Sequence, residues 1–287
     1  MSDSDQKTFS KNFMEVLNKI SDSKIKSIDN TQLDKLVSHI NLEFDLKPND
    51  YLELPGLSIW LLETIKLWKF QNPKIHTATF LCHFIGILSK HCKGFEFIQK
   101  DEILNELLAT VEPILLNNDL LKLAIIKLFR NVQKSKSGRK WLIDNERWKV
   151  VINFYMNNSN FYVAHYCIEF LNEFLKSTDG DSIIGQMLQE ILSLQFESID
   201  LTCNSLKNLT SKDYLSLKLF REILKYSIRK NSKIYFLELK KFYNFENNLQ
   251  SLFNNCHDEG TLDIVSSVYI LHLITKILVD NNKCSEN

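Results

Sequence analysis

Three amphipathic segments between residues 101 and 177 constrain the fold of this chain more than any other feature. Each is about 12 to 18 residues long and places apolar residues at the helical period of about 3.6. The apolar positions are Ile103, Leu104, Leu107, Leu108, Val111 and Leu115 in the first segment, Leu120, Leu121, Ala124, Ile125, Leu128, Phe129 and Val132 in the second, and Phe161, Ala164, Cys167, Ile168, Phe170, Leu171, Phe174 and Leu175 in the third. Helices with no strand between them must pack on helices. The pattern therefore predicts an all-α fold.

Apolar periodicity and turn residues along the whole chain predict about thirteen helices. Their expected ranges are 6–20, 31–45, 57–70, 75–92, 101–116, 119–134, 139–156, 160–176, 181–195, 198–209, 213–229, 232–254 and 260–280. Short polar joints connect them, so consecutive helices are expected to lie antiparallel. The stretch from residue 47 to 56 is the most loop-like part of the interior. We therefore predict an amino-terminal helical cap over residues 1–46, a helical-repeat domain over 47–280 and a disordered tail over 281–287.

The composition is that of a globular helical protein. Hydrophobic residues make up 44% of the 287 positions, and there are only 7 glycines and 4 prolines. The 35 basic residues equal the 35 acidic ones, so no net charge attracts the chain to nucleic acid or to an anionic membrane. A charged partner would have to be bound by a local patch.

Cysteine usage and the amino terminus predict an intracellular protein, either cytoplasmic or nuclear. The 6 cysteines are irregularly spaced and lie mostly in apolar helical runs, which is typical of free thiols in a reducing compartment. The first residues are polar and acidic and do not have the pattern of a signal peptide. The densest apolar stretch, residues 270–279, is interrupted by His272 and Lys276, so no segment is expected to span a membrane.

The spacing of the predicted helices indicates a repeat. Segments start at residues 57, 101, 139, 181 and 213, at intervals close to the size of a helix pair in a solenoid. Around the clearest unit, an apolar helix carrying Trp141, Trp148, Val151, Phe154 and Tyr155 is followed by an Asn- and Ser-rich turn and then by residues 161–164. This arrangement resembles armadillo and HEAT repeats. The resemblance implies an α-solenoid of antiparallel helix pairs that acts as a protein-binding scaffold, with no shared catalytic residue.

No residue pattern predicts catalysis, a cofactor or a metal site. The closest pairs of potential metal ligands are Cys82 with His83, His91 with Cys92, and Cys256 with His257. On one helix, His83 and Cys92 would lie about 13 Å apart along the axis, too far to share an ion. None of the glycines forms a phosphate-binding loop, and no strand-turn-helix motif presents a nucleophile. We therefore predict that the chain is not an enzyme.

Two basic clusters leave nucleic-acid binding open as the alternative function. They consist of Arg130, Lys134, Lys136, Arg139 and Lys140 near Trp141, and of Lys225, Arg229, Lys230 and Lys233 near Tyr226 and Tyr235. Positive charge beside an aromatic ring is the combination that single-strand binders use. Basic residues at a helix end also complement the helix dipole, and the neutral chain favours that interpretation.

The predicted partner-binding residues lie on two helices. Tyr162, His165, Tyr166 and Glu169 share one face at helical spacing, and Lys127 and Arg130 share a face on an earlier helix. Helical repeats use such faces to bind protein partners, and tyrosine beside charged groups is a typical hot-spot composition. We predict that these six residues bind a peptide or a helix of another protein. The alternative is that the tyrosines pack beneath the next repeat.

Overall fold

The computed structural model of the chain describes residues 3–21, 30–115, 118–157 and 160–177, and the single positions 221, 268 and 269. Within these residues the fold is all-α: there are eleven helices and no strand. The helices are α1 (Asp3–Ser21), α2 (Asn30–Leu46), α3 (Pro48–Leu52), α4 (Leu57–Leu67), α5 (Ile75–Leu88), α6 (Cys92–Lys100), α7 (Ile103–Leu115), α8 (Asp119–Val132), α9 (Lys136–Asp144), α10 (Arg147–Met156) and α11 (Phe161–Ser177). The all-α prediction is confirmed for this part of the chain.

The chain divides into two compact units, residues 1–145 and 146–287. Helices α1 to α9 belong to the first unit, and α10 and α11 belong to the second. The expected division into a cap and a repeat domain stays a prediction. Of the five helices predicted after residue 180, the structure describes only residue 221 in the range 213–229 and residues 268 and 269 in the range 260–280, and the predicted tail lies outside the described residues.

Helix boundaries recur at an interval of 44 residues. The pairs of starting residues are Ile75 and Asp119, Cys92 and Lys136, and Ile103 and Arg147. The two residues with positive φ outside glycine, Glu102 and Glu146, follow the same interval among the described residues. The two stretches that begin at Ile75 and Asp119 therefore have the same order: a long helix, a short helix and a third helix. The turns that join these helices have the same geometry.

Two glycines make the turn between the long and the short helix possible. Gly94 and Gly138 are each the third residue of a short helix. A Cβ atom at Gly94 would overlap the carbonyl oxygen of Leu88, and one at Gly138 would overlap that of Val132. Leu88 and Val132 are the last residues of the preceding long helices. Only a residue without a side chain lets the short helix begin so close to the long one.

Alanine at Gly94 or at Gly138 is therefore expected to lower the free energy of unfolding by about 1 to 3 kcal/mol, because the backbone must move to accept the methyl group. Chemical denaturation measures the effect. The matched controls are Lys93→Ala and Ser137→Ala, one position earlier in the same helices, where both side chains are exposed. Equal midpoints for the glycine variants and these controls would refute the close approach.

In the first unit, equivalent helices of successive segments pack against one another. Helix α2 packs against α5 and α5 against α8, while α4 packs against α7 and α6 against α9. The α5–α8 contact is close because of Gly86, where a Cβ atom would lie 3.1 Å from the Cα atom of Leu128. In this unit, the long helices α2, α5 and α8 thus form one layer, and the third helices α4 and α7 form another.

The three apolar stripes predicted from the sequence form much of the core, but Leu120 and Phe161 are exposed, and Ala164 and Ile168 are half-buried. The described side chains of the first stripe are all fully buried. In the second, Leu120 is 53% exposed, and in the third, Phe161 is 72% exposed. Each begins its stripe at the first helical turn, and at about 100° per residue each lies more than about 110° from the centre of the buried face. The prediction that these two residues are core was wrong.

Several helix boundaries also differ from the prediction. The helix expected over 139–156 is two helices, α9 and α10, separated by the left-handed residue Glu146. The helix expected over 75–92 ends at Leu88, and α6 begins at Cys92. The short helix α3 was not expected. Pro48 occupies its first turn, a position that proline favours.

Candidate partner-binding surface

Helix α11 is held by a buried stripe on one side. Val163, Cys167, Phe170 and Phe174 are all fully buried, and the helix packs against α10. Their spacing of four, three and four residues keeps them on one face. At the amino-terminal end, the side-chain carbonyl of Asn160 accepts a hydrogen bond of 2.9 Å from the backbone N–H of Tyr162. The opposite side of the helix is therefore fixed in orientation and turned away from the core.

Four rings form a connected group on that opposite side, which we call the aromatic face: Phe161, Tyr162, His165 and Tyr166. The ring centroids of Phe161 and Tyr162 lie 6.0 Å apart, and the ring of Phe161 stacks on that of His165 at 6.2 Å. The rings of His165 and Tyr166 meet edge to face at 5.8 Å. Phe161 is 72% exposed and Tyr162 is 66% exposed, whereas Tyr166 is half-buried.

An acidic edge borders the aromatic face. Nε2 of His165 lies 3.4 Å from a carboxylate oxygen of Glu169, one helical turn along. Glu173 follows Glu169 by a further turn and lies on the same side of the helix. Rings that contact one another lose less side-chain entropy on binding than isolated rings do. The surface thus offers a partly ordered apolar patch beside negative charge.

The two predicted basic residues lie on another helix, α8. Lys127 and Arg130 are half-buried on α8 and belong to the first unit, whereas the aromatic face belongs to the second. The structure brings Tyr162, His165, Tyr166 and Glu169 together on one helix face. The combined six-residue surface stays a prediction. Sequence reasoning missed Phe161 because it was assigned to the buried stripe, although its spacing of four residues from His165 places it on the outer face.

In the first basic cluster, Arg139 has a structural role and Trp141 is buried. Nη1 of Arg139 donates hydrogen bonds to the carbonyl oxygens of Gln133 and Lys134, at 2.9 and 3.4 Å, just after the end of α8. Trp141 is only 7% exposed, and its ring meets that of Phe95 edge to face at 6.4 Å. A buried indole offers no stacking surface to a nucleic-acid base. The second basic cluster lies outside the described residues.

Cysteines and histidines were the candidates for metal binding. In the described ranges, no group of three or more His, Cys, Asp or Glu side chains could hold a metal ion. Among the described cysteines, Cys82 and Cys167 are buried and outside any disulfide, and Cys92 is exposed at the start of α6. Burial raises the pKa of Cys82 to about 12, so this thiol stays protonated at neutral pH.

The chain matches no known protein family, and no curated protein is significantly similar to it in sequence. The armadillo or HEAT assignment therefore stays an expectation from the residue pattern. Among the helices that the structure describes, none is both long enough and apolar enough to cross a lipid bilayer.

Proposed function

We propose that this chain is an intracellular interaction scaffold, built as an armadillo- or HEAT-like α-solenoid, that binds a helical or peptide segment of another protein. The observation that carries the proposal is the pair of exposed rings on the aromatic face, Phe161 and Tyr162. The 44-residue recurrence of helix boundaries and the packing of equivalent helices in the first unit support the repeat architecture. Buried cysteines outside any disulfide support a reducing compartment. The proposed role is binding, with no catalysis.

The exposed rings can contribute binding energy when a partner covers them. Aromatic side chains bury about 150 to 250 Å² each when they are covered, at roughly 25 cal/mol per Å². Tyrosine is enriched among the residues that dominate binding energy at protein interfaces. Because the buried stripe of α11 already fixes the helix, the outer rings are available to a partner without loss of the fold.

Charge favours a protein partner over a nucleic acid at this surface. Glu169 and Glu173 place carboxylates on the same side of α11 as the rings. Phosphates would be repelled there, whereas Lys or Arg residues on an amphipathic helix would be attracted. The partner that fits is therefore a helix or peptide with an apolar stripe and flanking basic residues.

The test begins with affinity purification of the native chain and identification of the proteins that co-purify. The double variant Phe161→Ala with Tyr162→Ala is then expected to weaken the principal partner by at least about 2 kcal/mol, roughly thirtyfold. Tyr166 is left intact because it is half-buried and its loss would also affect folding. The control is Phe70→Ala, which removes a ring that is 90% exposed in the first unit.

Unchanged affinity in the folded double variant would reject the aromatic face as the binding surface. Loss of the fold would show that these rings belong to the core. Salt provides a further check, because binding to an apolar patch changes little between 50 and 200 mM salt, whereas binding to phosphates falls by orders of magnitude. Co-purification of nucleic acid with that salt dependence would favour the alternative function.

A further inference from the structure

A small cleft opens in the first unit where α2, α5 and α8 meet. Its volume is about 100 Å³. It is lined by Leu33, Asp34 and Val37 of α2, by His76, Thr79, Phe80 and His83 of α5, and by Leu120 of α8. The exposure of Leu120, unexpected for a core position, is explained by its place at this cleft. The cleft is formed by residues of the first unit, and the aromatic face by residues of the second.

The walls are mainly apolar, and two polar groups lie among them. The hydroxyl of Thr79 is closed off from solvent and has no hydrogen-bond partner. Such a group is costly to bury. Threonine in a helix has two accessible rotamers, so the hydroxyl can turn toward a bound group. A ligand that pairs with this hydroxyl would satisfy it.

The second polar group is the imidazole of His83. Burial, together with the nearby positive charge of Lys127, lowers its pKa to about 4. The ring is therefore neutral at physiological pH and has one donor nitrogen and one acceptor nitrogen. A cationic ligand is disfavoured by Lys127, and an anionic one by the carboxylate of Asp34 at the α2 side. A neutral polar group therefore fits beside Thr79 and His83.

We propose that this cleft binds the side chain of a tyrosine from a protein partner. A volume of about 100 Å³ accommodates one ring and is well below the roughly 300 Å³ of ordinary small-molecule sites. Leu33, Val37 and Phe80 surround the ring, and the phenol oxygen meets Thr79 and His83. The phenol accepts a hydrogen bond from the threonine hydroxyl and donates one to the imidazole. Phenylalanine would leave both groups unpaired.

The probe is p-cresol, which is the tyrosine side chain as a free molecule, with toluene as the matched ligand without the hydroxyl. Both are titrated into the full chain while NMR follows the methyl groups of Val37, Thr79 and Leu120. We expect saturable shifts of these methyl groups and at least about fivefold tighter binding of p-cresol, the ratio that one ordinary hydrogen bond provides. In Thr79→Val, which has nearly the same shape, this preference should fall by about fivefold, because only the hydrogen bond to the imidazole remains, while toluene still binds.

The proposal is overturned if p-cresol gives no saturable shift at these methyl groups, if toluene binds as tightly, or if the preference is as large in Thr79→Val as in the wild type. N-acetyl-tyrosine amide distinguishes the source of the phenol. It should bind at least as tightly as p-cresol if the cleft receives a tyrosine side chain. Binding of p-cresol alone would instead show a site for free phenols. None of these results depends on the aromatic face, so the two proposals fail separately.

Discussion

Phe170→Ala is expected to lower the free energy of unfolding by about 3 to 5 kcal/mol, through lost burial and the cavity left behind. Phe170 is fully buried on α11, and its ring stacks on that of Phe174 with centroids 5.4 Å apart. Both residues pack on the side of the helix that faces the core. Urea denaturation followed by circular dichroism measures the change.

The matched control lies on the same helix. Phe161→Ala removes the same side chain from an exposed position and should change stability by no more than about 0.5 kcal/mol. The contrast between the two variants tests the orientation of α11 directly. A midpoint that moves with Phe161→Ala but stays fixed with Phe170→Ala would mean that the helix faces the other way.

Acid is expected to destabilise the protein through His83. Its pKa falls from 6.5 to about 4 on folding, so the unfolded chain takes up a proton at a higher pH than the folded one. The contribution of neutral His83 to the free energy of unfolding is fully present above about pH 6.5 and is lost as the pH falls toward 4. The full loss is about 3 kcal/mol, at roughly 1.4 kcal/mol for each pH unit of difference.

The difference between wild type and His83→Leu isolates this contribution from that of the carboxylates, because both proteins share the latter. The unfolding free energy of the wild type minus that of His83→Leu should decrease from pH 7 through pH 5.5 to pH 4.5 if His83 carries the effect. His39→Leu is the control, since His39 is exposed on α2. Parallel pH profiles of wild type and His83→Leu would show that His83 titrates normally.

Much of the core could be predicted from the sequence because burial on a helix follows a simple period. Leu104, Leu108 and Val111 recur at four and three residues, and all are buried. Periodicity does not predict burial at the ends of a stripe. The first apolar residue there has no apolar residue one turn earlier that would place it on the buried face. Leu120 and Phe161 are the two cases, and they lie beside the cleft and on the aromatic face. Exposed apolar residues that depart from the buried helical pattern are expected at a binding site.

The helix break between α9 and α10 could not be predicted, because Glu146 adopts a left-handed conformation that its residue type does not favour. Asn145 is the only residue of that turn with a turn-forming side chain. The turn after α5 had a clearer signal in Gly94, but a glycine alone does not reveal which carbonyl it approaches. Only the packed structure shows that the carbonyl oxygen of Leu88 leaves no room for a side chain at position 94.

Of the candidate site, the sequence provided the face shared by Tyr162, His165, Tyr166 and Glu169, since spacings of three and four residues place side chains together on any helix. The sequence could not predict whether these side chains are exposed. That depends on which side of α11 packs against α10, a tertiary choice that helical period alone leaves open. Phe161 became visible as a site residue only when that choice was known.

Photo-crosslinking from the aromatic face tests the central proposal most directly. The side chain of Tyr162 is replaced by p-benzoylphenylalanine, and the same replacement at Phe70 is the control, since both positions are exposed. If the aromatic face binds a protein partner, illumination in cells should join position 162 to one predominant protein that Phe70 does not capture. The same adducts from both positions, or none from position 162 in a folded chain, would contradict it.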